Sequence, residues 1–574
     1  MSSSSEDVFH GGEQEAAEHS PLLEGCEQPS DNNATTDKCG TARPSHLLLV
    51  IIPALILSSF VPAFDLSFFM NNYTRIASDL HNLRDAVWTV LAGSISAAII
   101  QPIYSHLSAV YGRSLAIVSA YIIFGLGTAF CALSPTLWVM AVSRIIVGIG
   151  SSAGALLATI ILNDLVSLTD IAIWRALFTC FDTVATMGGG PLGNFIARSL
   201  HWRWMFFLET IAIAAAIVVL IWSLRSLRKA ANNTPIETLL VAKPVDAAKL
   251  NLSGGLLLVV TVTAPLCALT IGGGALPWHH PLVIALFAVT PCLGAGLYYH
   301  EKYIAVNPTI PIDIVSRLPI IRVFITVFSV VFALNVILFN LPLYTQTRAL
   351  DGTTFSDYAL TCVFIGIPLG ALFSGFVIQK TQQNRITMTA NGLVSGILYA
   401  LFASGVIPPD RPTSALPLAL LGFSAGIWQS TLLVALLAVV EVHYQPHLIA
   451  VYGLVLVVGG DLAIALSSSI SHSLFIKNLQ QAPGRNVQTD EIIRRVFESL
   501  ENVRGYDPAI RGVILNSFEH AIRSTFIFSC IAIVVVLFTV YFITESDREL
   551  STLTKTGGED LRSPSDGGYN DRES

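Results

Sequence analysis

Apolar runs of about twenty residues recur along most of this chain, each ended by a short polar stretch. They fall near 46–69, 86–105, 115–133, 137–162, 174–197, 204–224, 252–272, 281–300, 320–343, 358–379, 386–406, 415–440, 448–473 and 524–543. Runs of that length with few charges predict membrane-spanning helices, here fourteen. Residues 1–44 and 546–574 lack the pattern and read as disordered tails. An even number of crossings places both tails on one side. Arg and Lys crowd the loops on the side of the tails, among them Arg113, Arg225, Arg228, Lys229 and Lys249, which predicts cytoplasmic termini.

One long connection, 474–522, interrupts the regular spacing. Ile492, Ile493, Val496, Phe497, Leu500 and Val503 recur there at helical intervals, and Ile510, Val513, Ile514 and Phe518 resume them after Asp507-Pro508. Two short amphipathic helices on the outer surface are expected.

Composition agrees. Of 574 residues, 53% are hydrophobic and only 12% charged, and the mean hydropathy is +0.64. A soluble chain carries roughly twice that share of charge. The formal charge of −7 resides mainly in tails and loops and excludes little. Eight cysteines are scattered without metal-ligand spacing, so neither a zinc site nor a disulfide framework is expected. The polar, acidic first forty residues do not read as a cleavable signal peptide. No phosphate-binding loop or nucleophile elbow is present, and no enzyme, cofactor or nucleic-acid partner is expected.

The chemistry lies in charges inside the apolar runs. Asp65, Asp182, Glu209 and Asp461 are acids, and Arg144 is the one deep base. Charged groups at membrane depth are costly and face a cavity or a partner. By helical rise Asp182 lies nearest the midplane, whereas Asp65, Arg144 and Glu209 lie in the outer half. Four acids to one arginine point to a small organic cation and to protons competing for the same carboxylates.

A second feature is the stretch Met187-Gly188-Gly189-Gly190-Pro191-Leu192-Gly193-Asn194. Glycines and a proline weaken a soluble helix but are tolerated in a membrane bundle. Gly189, Gly190, Pro191 and Gly193 therefore mark either a close helix contact or a hinge.

These motifs resemble the major facilitator superfamily, and within it the fourteen-span drug/proton antiporter branch. Gly190-Pro191-Leu192-Gly193 followed by Trp202-Arg203-Trp204 is similar to the branch's span-5 motif, with Asn194 where a second glycine is usual. Asp65-Leu66-Ser67 through Asp79-Leu80 resembles its first span, and Trp88 with Gln101-Pro102 its second. Arg144-Ile145-Ile146-Val147-Gly148-Ile149-Gly150 resembles the span-4 motif, with Val147 in place of Gln. Glu209 stands where the branch usually has Asn or Gln. The loop Ser105 to Arg113 resembles the superfamily's loop 2–3 motif, with Ser105 for Gly and Ala109 for the usual Asp. An inner gate around Gly112 and Arg113 has thus lost its acidic partner, and His106 is one candidate to replace it.

The resemblance implies an all-α polytopic fold: a six-helix half over 45–224, a linker and two extra spans over 225–303, and a second six-helix half over 304–545. It implies proton-coupled antiport of an organic cation, with Asp65, Arg144, Asp182, Glu209 and Asp461 as coupling and binding residues. One version loads basic amino acids into the fungal vacuole, and another exports drugs across the plasma membrane. A transport-inactive sensor on the same fold is the reading from a different class. Glu18, Leu22 and Leu23 resemble an acidic dileucine sorting signal, which implies a sorting adaptor as partner beside the lipid bilayer. Glycosylation at Asn72 is left open.

Overall fold

The computed structural model describes residues 45–165, 171–230, 251–272, 276–305, 310–349, 358–381, 384–409, 411–440, 445–481, 489–499, 502–503 and 506–559. Glu18, Leu22 and Leu23 lie outside the described residues.

Every expected apolar run lies in a helix. The first six are α1 (Ser45–Asp79), α2 (Ala86–Tyr111), α3 (Arg113–Leu133), α4 (Leu137–Leu165), α5 (Ile171–Ser199) and α6 (Trp202–Ala230). A pair follows, α7 (Leu252–Ile271) and α8 (Pro281–Tyr299). The last six are α9 (Leu318–Ala349), α10 (Ala359–Thr381), α11 (Asn384–Ser404), α12 (Ala415–Ala438), α13 (Gln445–Gln481) and α14 (Pro508–Glu559). Among the described residues, twelve of these are long and apolar enough to cross a membrane. The two outside that set are α2, whose apolar part is Ala86–Gln101, and α5. No strand is present among the described residues beyond one bridge between Gly272 and Leu276.

Helices prevail because a backbone away from water must bond within its own segment. Buried hydroxyls follow the same logic. Ser58 donates to the Leu55 carbonyl at 2.6 Å and Thr128 to that of Phe124 at 2.9 Å, so neither is left unsatisfied.

The long connection over 474–522 differs from expectation. One separate amphipathic helix forms, Thr489–Glu498, with Phe497 packed on Phe475 of α13. The second expected helix is instead the opening of α14. Pro508 starts that helix, where a missing N–H costs nothing, and Ile514, Phe518 and Ile522 bury one continuous face. At the far end α14 runs on to Glu559, past the expected start of a disordered tail at 546.

Small residues set how closely the helices approach. A methyl group at Gly150 of α4 would collide with the backbone of Phe124 in α3, and one at Gly148 with the Gly93 carbonyl in α2. The second half repeats this between α10 and α12. Gly366 and Gly370 lie against the backbone of Ala419 and Phe423, and Gly422 and Gly426 against that of Val363 and Ile367. Such small-xxx-small faces allow backbones to meet where no hydrophobic force drives association.

The halves meet along two seams, α2 against α13 and α5 against α10. The extra helix α7 packs on both α2 and α13, so it covers the first seam. α8 packs on α7, and only 6% of its apolar window is buried.

A candidate transport site between two related halves

Asp65 of α1 and Arg144 of α4 form a buried ion pair. Arg144 Nη1 donates to Asp65 Oδ1 at 2.8 Å and to Oδ2 at 2.9 Å, with exposures of only 6% for Arg144 and 3% for Asp65. The guanidinium also lies 4.0 Å over the ring of Phe69, one turn beyond Asp65. Glu209 of α6 and the Cys131 thiol of α3 are close enough to act electrostatically on this pair. Both Glu209 carboxyl oxygens are buried without a hydrogen-bond partner, and so is Arg144 Nε. The chamber therefore holds two acids and one base, with acceptors and a donor left unused.

Asp182 stands elsewhere. It lies half-buried on α5 beside Ser59 of α1, within electrostatic reach of Tyr121 on α3. Its Oδ1 is buried without a partner. Asp461 is in a third place, on α13 at the α2 seam. Its Oδ1 accepts from Ser94 Oγ at 2.6 Å, and its Oδ2 has no partner. The five charged candidates thus divide into one cluster of three and two single acids.

The glycines of α5 make contacts. The helix is continuous through Pro191. A methyl at Gly189 would lie 2.5 Å from the Phe64 carbonyl oxygen, one at Gly190 2.8 Å from Asn71 Nδ2, and one at Gly193 within the Phe68 ring. Pro191 follows directly, so α5 leans on α1 along its glycine face.

The same arrangement occurs between α13 and α9. A methyl at Gly459 would lie 3.2 Å from the Phe328 carbonyl oxygen, and one at Gly460 3.0 Å from Asn335 Nδ2. Phe328 and Asn335 repeat the spacing of Phe64 and Asn71. Both asparagines donate to a carbonyl one turn back, Asn71 to Ser67 at 2.8 Å and Asn335 to Val331 at 2.9 Å. Gly-Gly-Pro-Leu-Gly in α5 thus corresponds to Gly459-Gly460-Asp461-Leu462-Ala463 in α13. Asp461 occupies the place of Pro191.

At one end of the bundle the halves are sealed. Tyr73 donates to the Phe339 carbonyl at 2.6 Å with the two rings stacked, and Thr74 donates to Gln346 Oε1 at 2.6 Å. The helix Thr489–Glu498 reinforces this end, with the Arg84 amide bonded to the Phe497 carbonyl at 3.1 Å. Trp202 Nε1 donates to Asp79 at 3.0 Å and ties α6 to the end of α1. A small cavity remains there, lined by Tyr73, Arg84, Asn340, Ser471 and His472 among others. Glu519 of α14 bonds Arg348, Arg523 and Tyr344, a cluster that apolar periodicity does not reveal.

At the opposite end, Gly112 joins α2 directly to α3. Its φ of +89° is open to glycine at little cost. Arg113 Nη1 donates to Ser108 Oγ at 3.0 Å, so a hydroxyl of α2 stands near the absent acid's place. The side chains of His106 and Ala109 lie outside the described residues. Asn72 is fully buried in α1 with Nδ2 bonded to the Phe68 carbonyl at 3.1 Å, which closes it to glycosylation in the folded chain.

Two repeated helical halves meeting around buried charges are the architecture of a membrane transporter. The chain belongs to the Major Facilitator Superfamily, which it matches over residues 55–464. It is 27% identical to the multidrug resistance protein fnx1 of Schizosaccharomyces pombe, over 83% of this chain and 88% of that one. It is also 27% identical to the vacuolar membrane amino acid uptake transporter fnx2 of the same yeast, over 86% of this chain and 83% of that one. Among solved structures, a bacterial homologue of the human lysosomal transporter Spinster shares the fold. That match has a TM-score of 0.58 and 15% identity, and covers 88% of this chain and 98% of the other.

Proposed function

We propose that this transporter is a fourteen-span antiporter that exchanges protons for a small organic cation. The observation carrying this reading is the excess of buried acids. Glu209, Asp182 and Asp461 each keep at least one buried carboxylate oxygen without a hydrogen-bond partner. An uncompensated carboxylate at membrane depth is costly, and a proton or a cation removes that cost. Asp182, half-buried beside Ser59, is suited to hold the cation. Asp65 keeps Arg144 paired, and Glu209 takes and gives up a proton beside them. Gly189, Gly190, Pro191 and Gly193 form the surface on which α5 moves against α1.

The end carrying Gly112 and Arg113 is assigned to the cytosol, and the sealed Tyr73 end to the far side. The likeness to fnx2 favours basic amino acids as cargo and the vacuolar membrane as location. An acidic lumen then protonates the carboxylates and displaces the cation, and the neutral cytosol reloads them. The likeness to fnx1 supports the second reading, drug efflux at the plasma membrane by the same exchange. Leu22 and Leu23, after Glu18, are the candidate address that an adaptor reads.

Purified protein in acid-loaded proteoliposomes tests the reaction. Uptake of labelled lysine or arginine should depend on the proton gradient and collapse with an uncoupler. Gradient-independent uptake, or none, overturns exchange. Asp182→Asn should abolish accumulation while reaching the membrane normally. Imaging of the tagged chain separates the two locations, and Leu22→Ala with Leu23→Ala should divert it to the cell surface.

A further inference from the structure

We propose that Asp461 is the latch between the halves: its bond to Ser94 holds α13 on α2 with the Tyr73 end sealed while the acid is charged and empty, and its neutralisation by either exchanged ion, the cation from the cytosol or the proton that replaces it, releases that seam. The proposal rests on the proton exchange argued above and assigns the step that converts it into movement.

Three observations carry it. Asp461 and Ser94 belong to different halves and are joined at 2.6 Å, deep in the bundle rather than at the sealed end. The acid also stands at one of the two points where the glycine units differ, the other being Gly193 against Ala463. On the α5 seam Gly190 meets a bare hydroxyl, Thr361 Oγ1, which has no hydrogen-bond partner. On the α13 seam the next residue after the paired glycines supplies a carboxylate to a hydroxyl. One seam is thus passive, and the other carries a bond whose strength depends on charge. Finally, α7 rests on both α2 and α13 and takes a hydrogen bond from Ser469 to the Gly272 carbonyl. It covers this seam and so keeps lipid away from a buried carboxylate.

The surroundings leave the bond to a single donor. Ser94 is the side chain that acts on Asp461, and no charged or titratable group of α2, α7, α9 or α14 among the described residues does so. Asn335 of α9 reaches only the neighbouring Gly460. A hydrogen bond to an ionised acceptor is roughly twice as strong as a neutral one, so a proton on Asp461 weakens the tie without moving any other group. Ser94 also sits beside Gly93, whose surface is covered by the backbone of Arg144. α2 therefore has the ion-pair chamber on one face and the latch on another.

Crosslinking across the sealed end tests this without transport. Thr74→Cys and Gln346→Cys, in a background with the eight native cysteines replaced by serine, report closure of the Tyr73 end. The parent pair should crosslink efficiently at neutral pH and less on acidification. Ser94→Ala and Asp461→Asn should each slow crosslinking about tenfold at neutral pH and remove its pH response. Ser94→Thr, which keeps the hydroxyl, should behave as the parent. Ser94→Ala retains the acid, so the test stands even if Asp461→Asn fails to fold. Crosslinking that is unchanged in Ser94→Ala, or that keeps its pH response there, overturns the latch. If crosslinking responds as expected but proteoliposomes accumulate no cation, the exchange reading fails and the latch remains.

Discussion

The unit α1/α5 and the unit α9/α13 have the same contact plan and different chemistry. In both, a paired glycine lets one helix lie on the backbone of a phenylalanine and the amide of an asparagine. In the first, the next residue is Pro191, and α1 adds Asp65, bound to Arg144. In the second, the next residue is Asp461, and Ser329 stands where α1 has Asp65. Packing was therefore kept while charge was redistributed. Beside its glycine face the first unit holds a neutralised pair, with Asp182 further along α5, and the second holds an acid with a single hydroxyl partner. Geometry that lets helices slide is separable from the groups that sense charge.

The largest expected effect breaks the first unit's charge. Arg144→Ala should abolish transport and lower stability by about 3–5 kcal/mol, because Asp65 is left buried and unpaired. Adding Asp65→Asn should restore the melting temperature of the purified protein but not uptake. Recovery of uptake in the double variant would mean that the pair is only structural.

A middle-sized effect compares the glycines. Gly189→Ala places a methyl 2.5 Å from a backbone carbonyl that cannot yield, whereas Gly459→Ala meets the corresponding carbonyl at 3.2 Å. Thermal unfolding in detergent should show a loss of about 1–3 kcal/mol for the first and clearly less for the second. Equal losses would undo the distinction between a tight unit and a looser one.

The smallest effect concerns the asparagines. Asn335→Ala loses a bond to Val331 and should cost about 1 kcal/mol or less. Asn71→Ala should cost more, since the Asn71 amide is buried whereas that of Asn335 is only partly so. Melting curves that rank them in reverse would place the greater strain in the second unit.

Much of the fold was legible because the bilayer imposes one rule per segment. Each apolar run had to become a helix, and each did. The boundary errors lie where that rule is silent. Residues 508–522 carry an amphipathic pattern that fits a surface helix as well as the first turns of α14, and only packing against Phe475 decided between them. The glycine pairs of α10 and α12, and Gly459-Gly460, were present as small-xxx-small and Gly-Gly patterns. Their likeness to α5 becomes visible once Phe64 and Phe328 are found under them.

By itself the sequence determined that the chain crosses a membrane many times, that its interior holds more acid than base, and that α5 carries a glycine stretch for either a close contact or a hinge. Those properties are local: length, charge and the absence of a side chain act wherever the residue sits. Which acid meets which partner was decided by tertiary structure alone. Asp65 and Arg144 are 79 residues apart, and Ser94 and Asp461 are 367 apart. Neighbours in a bundle follow from the order in which helices pack and the rotation each adopts, and no local pattern encodes either. Glu209 joined the Arg144 chamber because α6 and α4 both pack on α3, and Asp461 lies on α13, which packs on both α9 and α2.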